Sequence, residues 1–411
     1  EIRASDWSSD VCSSDLVDCT QLHTVTLFRR ISMTDYRTDF EALEKRLAER
    51  PADPGKLVTD DPTPNTLRLW EFLKSCYGKK YISGQQYLWE DEKEDLVYYN
   101  TTGKIPAIRG YDFMGISGLA RGYDQLGRAI DWARRTGGIL TMCWHWNAPD
   151  DMNDIGGLSS FYYKTTNYDR KTGFDIVRAM QEGTPEHDFI IYEIDLVGSA
   201  LKMFEQQDIP VIWRPLHEAA GNWFWWGNRA PAGQQDHESV AAYKKLWYTI
   251  FDRLMNYHKL RNLIWVWNGQ APFMAVSPNT FDIAGEDIYD EIPNHGSQLE
   301  RFKAVSSYTH GKMITLSECG SIPDPDEMQK DGSNWLWWLP WWGTFVYDTD
   351  GEWKPILDEN DMPRPNPKYM DEEFLKRVFS DPRVITLEDL PWYDKDSKPL
   401  PNALHHRLNK C

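Results

Sequence analysis

Residues 211–227 read VIWRPLHEAAGNWFWWG, and the fold turns on how that stretch is parsed. It opens with an apolar, β-rich run and closes with an aromatic cluster. His217 and Glu218 lie between them. The run reads as a buried strand that delivers a carboxyl group to its own C-terminal end. The loop that follows offers flat ring faces around that carboxyl. The plain alternative is a core strand followed by a packed aromatic loop, and the rest of the chain decides between the two.

Working outward, short apolar runs alternate with longer helical or mixed segments. The strand expectations are 80–85, 105–112, 138–145, 209–218, 262–268, 282–289, 312–318 and 334–341. Helices are expected between them, most strongly at 188–207, 238–260 and 297–310. Eight such units without hairpin signals point to an α/β chain folded as a (β/α)8 barrel. A doubly wound open sheet is the alternative. It usually carries a Gly-rich phosphate loop after its first strand, and SGQQY at 83–87 is not GxGxxG.

Four regions are expected. Residues 1–16, EIRASDWSSDVCSSDL, lack any hydrophobic period and resemble a translated adapter, so the native start and any signal peptide are not expected in this segment. The Leu16–Cys19 run that faintly looks like a lipoprotein box is read as chance, because no apolar stretch precedes it. Residues 17–60 form an N-terminal extension with a helix at 38–50. Residues 61–392 form one barrel domain, beginning with a helix at 62–77 whose buried side is expected to include Leu67, Leu69, Trp70 and Leu73. Residues 393–411 form a C-terminal tail. The Pro- and acid-rich stretch 353–369 is the loop after strand eight, and 371–379 is the last helix.

Composition removes several function classes. The 411-residue chain has a formal net charge of −18, the wrong sign for a protein that neutralises nucleic-acid phosphates. Six scattered cysteines show neither CxxC nor zinc spacing and do not look like a disulfide framework, which leaves the redox compartment open. No apolar run is long enough to span a bilayer. The twenty tryptophans cluster in WHWN, WFWWG, WVWNG and WLWWLPWWG, near expected strand ends, which favours a binding role over core filling.

The C-terminal ends of barrel strands face the functional mouth. Glu218 is expected to end strand four, and Glu318, in ITLSECGS, to end strand seven. Two glutamates at such positions, flanked by aromatic loops, suit glycoside cleavage by paired carboxyl groups. Rival chemistries lack their residues. HExxH would need His at position 221, where Gly221 stands; a metal-dependent barrel would want a second His beside His145; and no GxSxG occurs. No EF-hand loop is present, so neither a metal nor a cofactor is expected.

RPLHEAAGNWFWWG at 214–227, WHWNAP at 144–149 and LSECGSIPD at 316–324 resemble glycoside hydrolase family 26, the β-mannanases and their relatives, over about residues 60–392. The resemblance implies a retaining (β/α)8 enzyme acting on mannan, glucomannan or galactomannan, with β-1,3-xylan or mixed-linkage β-glucan as minority substrates. It implies Glu218 as acid/base and Glu318 as nucleophile. It implies His217 against a sugar hydroxyl or orienting a neighbour, Trp223 beside the cleaved bond, and His145 on the glycone side. Tyr289, in EDIYD, matches a Tyr that hydrogen-bonds the nucleophile, with Asp287 on the same face. Trp341 is the expected sugar platform, with Trp338 and Trp342 as register alternatives. Arg214 is read either as a brace for the carboxylates or as a core ion-pair partner, and Trp225 and Trp226 as loop packing. Gln85, Ala219, Ala220 and the WWG at 341–343 depart from the family's usual residues at positions expected to border the cleft. Action on a polymer implies export to the periplasm, cell surface or medium. The non-enzymatic alternative is a carbohydrate-binding barrel that has lost catalysis. It is disfavoured because both glutamates and Tyr289 remain.

Overall fold

Strands buried on both faces read as near-continuous apolar runs, because neither face meets water. LIWVW at Leu263–Trp267 is such a run, and all five residues are buried. The barrel strands are β1 (Tyr81–Gln86), β2 (Ile108–Asp112), β3 (Ile139–Cys143), β4 (Val211–Arg214), β5 (Leu263–Trp267), β6 (Ile283–Ile288), β7 (Met313–Cys319) and β8 (Trp337–Pro340). Each pairs in parallel with the next, and β8 returns to β1 through Ile82↔Trp337 and Ser83↔Trp338, so the sheet closes. This computed structural model describes residues 36–88, 93–116, 125–290, 293–350, 354–359 and 361–394. The adapter-like segment 1–16, residues 17–35 and most of the C-terminal tail lie outside them.

Helices α1 (Phe40–Glu49) and α2 (Pro64–Cys76) precede the barrel. The crossovers carry α3 (Lys93–Thr102), α4 (Gln125–Thr136), α5 (Pro185–Glu205), α6 (His237–Asp252), α7 (Leu299–Ser306) and α8 (Pro325–Asp331); α9 (Glu372–Ser380) follows β8. Local chemistry explains their starts. The Thr184 hydroxyl accepts from the His187 N–H, and Pro185 occupies the first turn, where no N–H is needed. Helix α5 therefore begins ahead of its first apolar residues, earlier than expected from the sequence. Helix α6 ends in a π-turn over Arg253–Tyr257, where Arg253 reaches Asp195 on α5 with two bonds of 2.7 Å.

The structure changes three sequence expectations. In α2, Leu67 is 47% exposed, while Thr66 and Cys76 join Leu69, Trp70 and Leu73 on the buried side. The β5–β6 crossover has no α-helix among the described residues. Pro272 and Pro278 limit it to single 3₁₀ turns. The N-terminal segment docks there instead: Asn279 Nδ2 donates to the carbonyls of Leu47 (2.9 Å) and Arg50 (2.6 Å), and Val58 N–H donates to Asp282 (2.7 Å). Third, most of the tryptophan clustering is core. Trp144, Trp146, Trp213, Trp225, Trp226, Trp265, Trp267, Trp335, Trp337 and Trp338 are all at most 1% exposed. Each contributes roughly 1.5–3 kcal/mol or more by leaving water. Trp265 packs on Trp247 and Phe251 of α6 and Trp335 on Phe302 of α7, so packing between sheet and helices accounts for such positions without any ligand.

Candidate active site

Strand β4 ends at Arg214, so Glu218 is not its last residue. Pro215 offers no N–H to continue the ladder, and the chain turns through Leu216 and Glu218, both at φ 53°. A non-glycine residue in that region costs roughly 1–3 kcal/mol and persists only where its surroundings hold it. Several bonds hold this turn. Trp226 Nε1 donates to His217 O (2.9 Å), Ala220 N to Gly269 O (3.0 Å), and Glu218 N to Asn268 Oδ1 (3.4 Å). Gly221 admits the Trp223 ring, which an added Cβ would meet at 2.3 Å. Trp223 Nε1 then donates to Glu218 Oε2 at 2.6 Å.

Glu318 has a different setting. It lies within β7, so the sheet itself fixes its backbone. Arg214 Nη2 donates to its Oε1, and Tyr289 Oη donates to its Oε2 at 2.6 Å. Tyr289 follows β6 directly; the residue is 39% exposed overall, while its hydroxyl end is buried against Glu318. Arg214 is 1% exposed and uses Nη1 on Asp287 Oδ2 (3.1 Å), so one guanidinium spans two carboxylates. Asp287 Oδ1 accepts from Asn268 Nδ2 (2.7 Å) and Ser317 Oγ (2.7 Å). Both oxygens of Asp287 are thus engaged by protein groups, and Arg214 is at once brace and ion-pair partner.

One oxygen from each of Glu218, Asp287 and Glu318 lies within 4.8 Å of the others. Burial, then the charges of Asp287 and Glu318, push the Glu218 carboxyl well above the usual range. Burial and then the Glu318 charge also raise the Tyr289 hydroxyl, which stays a donor. A carboxyl group whose surroundings favour its protonated form thus faces one held by a guanidinium and a phenol, close enough for both to reach one bond.

The remaining expected residues gather on one side. His145 Nδ1 pairs with Asp112 Oδ2 at 2.5 Å, and its Nε2 lies 3.2 Å from His217 Nε2. Burial would raise Asp112, but the His145 ring, the His145 N–H and the Met114 N–H outweigh it and hold the carboxyl low. Asp112 therefore accepts, and His145 Nδ1 carries a proton. His217 is fully buried, and burial together with His145 lowers its pKa well below the ordinary value. Trp341 alone of the strand-eight run approaches this group, its ring 5.6 Å from His145. Trp338 packs instead on Tyr81, at 6.4 Å. Trp225 and Trp226 are fully buried and donate to the carbonyls of Trp146 and His217, as loop packing requires.

Gln85 does not border the cleft. It is fully buried and donates through Nε2 to the carbonyls of Gln86, Pro340 and Trp341, fixing the end of β8. Sequence reading missed Asp112 and Asn268. Each stands where an apolar barrel strand ends, in IRGYD at 108–112 and WVWNG at 265–269. That placement was the available signal.

Paired carboxyl groups at the C-terminal mouth of a closed parallel barrel, with ring faces beside both, place the chain in the class of barrel glycoside hydrolases. A family model described as glycosyl hydrolase family 26 matches residues 58–358, and the chain belongs to that family. It is 33% identical to a mannan endo-1,4-β-mannosidase of Thermothelomyces thermophilus, over 79% of this chain and 61% of that protein. It is 32% identical to mannan endo-1,4-β-mannosidase A of Piromyces sp, over 83% of this chain and 51% of that one. The chain thus spans about half to three-fifths of these relatives' length. Among solved structures, it resembles a β-mannanase from a symbiotic protist of the termite Reticulitermes speratus, complexed with a gluco-manno-oligosaccharide. The TM-score is 0.69 at 29% identity, covering 82% of this chain and 98% of that one. A ruminal family 26 endo-β-1,4-mannanase gives 0.70 at 29%, covering 85% and 72%.

Proposed function

We propose that residues 61–392 form the catalytic unit of a retaining endo-β-1,4-mannan hydrolase acting on mannan, glucomannan or galactomannan. The observation that carries this reading is the opposite bonding of two carboxyl groups within 4.8 Å: Glu318 anchored by a cation and a phenol, Glu218 held by one indole N–H. The mannan endo-mannosidases it resembles supply the substrate class.

In the first step Glu318 attacks the anomeric carbon, the glycosidic C–O bond breaks, and the leaving oxygen takes the Glu218 proton. Esterified Glu318 no longer carries charge, so one of the charges that raised Glu218 disappears. Glu218, now ionised, accepts a proton from water as that water attacks the same carbon. The Glu318–sugar bond breaks and both groups return to their starting states. Arg214 and Tyr289 orient the nucleophile, and Tyr289 is placed to follow charge as it leaves Glu318. Trp223 aims the acid. His145 and Trp341 line the wall on the glycone side, with Asp112 and His217 behind them as positioning residues. Because the polymer does not cross a bilayer intact, the site of action is outside the cytoplasm.

The test is product analysis on mannan, glucomannan, galactomannan, β-1,3-xylan and mixed-linkage β-glucan, beside Glu318→Ala. The expected outcome is a ladder of manno-oligosaccharides with retained anomeric configuration and a silent variant. A single short product would replace endo with exo action. Cleavage of xylan or glucan alone would replace the substrate. An active Glu318→Ala would end the assignment of the nucleophile.

A further inference from the structure

The loop after β3 carries an aromatic pair that none of the roles above uses. Residues 161–163 run alongside residues 223–225. Trp225 N–H donates to Phe161 O (3.1 Å), Tyr163 N–H to Trp223 O (2.7 Å), and Tyr162 bridges Phe224 in antiparallel fashion. The β3 loop is therefore zipped to the very turn that presents Glu218. Four near-parallel rings lead outward from that turn. Trp226 and Phe224 lie 4.5 Å apart at 25°, Phe224 and Tyr162 5.7 Å at 24°, and Tyr162 and Tyr168 3.8 Å at 26°. The inner end is fully buried, while Tyr162 and Tyr168 are partly exposed.

The outer end is tied down at its base by hydrogen bonds. Lys164 N–H donates to Thr172 O (2.9 Å) and Thr172 N–H to Tyr162 O (2.8 Å), closing the segment that bears Tyr168 at its base. Thr165 Oγ1 donates to Asn222 O (2.5 Å), fastening it to the acid's own loop. A platform ordered in advance spends little binding energy on its own immobilisation. Burial, then the Tyr168 hydroxyl, then the charges of Glu218 and Glu318 raise the Tyr162 hydroxyl pKa, so this ring stands within electrostatic reach of the cleavage point.

We propose that Tyr168, stacked on Tyr162, is a sugar platform for the leaving-group end of the glycan. The assignment of side follows from the wall. Glu218 gives its proton to the departing oxygen, so sugars beyond that oxygen run past the loop that carries Glu218, and this loop is the one Tyr162 is zipped to. An aromatic ring with a polar tip suits a pyranose, whose C–H face is apolar and whose rim is hydroxylated. The inference rests on the glycosidase reading above.

The experiment compares kcat/KM on a manno-oligosaccharide with kcat/KM on an aryl β-manno-oligosaccharide, whose leaving group brings no sugar to this wall. For Tyr168→Ala the ratio of the two is expected to fall roughly fivefold to tenfold, the size of one aromatic stacking contact. Tyr168→Phe, which keeps the ring, is expected to hold the ratio near that of the wild type. An unchanged ratio in Tyr168→Ala overturns the platform, whether both rates stay the same or both fall together. A wild type that cleaves another β-glycan instead of mannan defeats the substrate assignment alone. The same ratio is then taken with that glycan and its aryl glycoside, and it judges the platform on its own.

Discussion

Glu218 and Glu318 are the same residue type on facing walls of one cleft, and their surroundings hold them in opposite ways. Glu318 sits in a strand whose position the whole barrel enforces, and it receives a guanidinium and a phenol. Glu218 sits in a turn with two left-handed residues, held from other loops, and it receives one indole N–H. Burial and the charges of Asp287 and Glu318 disfavour ionisation of Glu218, while Arg214 gives its guanidinium to those two groups. The difference teaches that the donors each wall supplies arbitrate between two like carboxyl groups.

The largest test removes the weaker-held acid. Glu218→Gln is expected to lower kcat on mannan about 10²- to 10⁴-fold while oligosaccharide binding persists. The sign on pH is definite. Glu218 must be protonated, so wild-type kcat/KM falls as pH rises through its raised pKa, and the variant should lack that alkaline limb. A limb that survives unchanged would assign it to another group.

The next removes the arbiter. Arg214→Met leaves Asp287 and Glu318 buried without their cation, which should cost roughly 3–5 kcal/mol of stability in a denaturant titration. Adding back low pH should recover part of that loss, because both carboxyl groups then protonate. A loss under about 1 kcal/mol would mean that the pair relaxes into solvent.

A finer test touches the one donor on the Glu218 wall. The Trp223 N–H favours the ionised acid. Trp223→Phe should therefore move the alkaline limb of kcat/KM upward in pH, with about a tenfold loss of rate from misaim. Movement downward would contradict the hydrogen bond's role.

A third buried glutamate supplies the control. Glu286 lies on β6 beside Asp287 but faces the half-exposed Arg301, 3.4 Å away, and burial pushes it up to about 8 from 4.5. A carboxyl whose folded pKa is raised contributes stability below its unfolded pKa and loses it as pH rises through the folded value. The wild-type Tm should carry a decline between about pH 4.5 and 8 that Glu286→Gln removes, with kcat little changed. A raised pKa without a cleft then marks structure alone, and that separates Glu286 from Glu218.

Much of this was legible in the chain. RPLHEAAGNWFWWG and LSECGSIPD follow apolar runs and so placed Glu218 and Glu318 at the barrel mouth, and the resemblance carried by EDIYD pointed to the Tyr289 that hydrogen-bonds Glu318. The helix over 64–76 was legible too, yet Leu67 was misplaced, since several leucines near one helical face compete for the buried side and only packing chooses. Tryptophan clusters misled for a related reason: a ring that fills a wide core and a ring that stacks on a sugar have the same composition. Trp341 was separable from Trp338 only once the register Trp338↔Leu316 was known.

Local sequence, then, determined the parallel barrel, its order of strands and the identity of the two carboxyl groups. Those follow from hydrophobic period and from residue type, which are properties of neighbours in the chain. Tertiary structure decided the rest. It ended β4 at Arg214 and bent the next residues into a left-handed turn gripped by Asn268, Gly269 and Trp226. It brought Arg214 between Asp287 and Glu318, and Asp112 under His145. Charge, tautomer and aim depend on distances between residues remote in sequence and on the water they exclude, and no pattern along one strand encodes either.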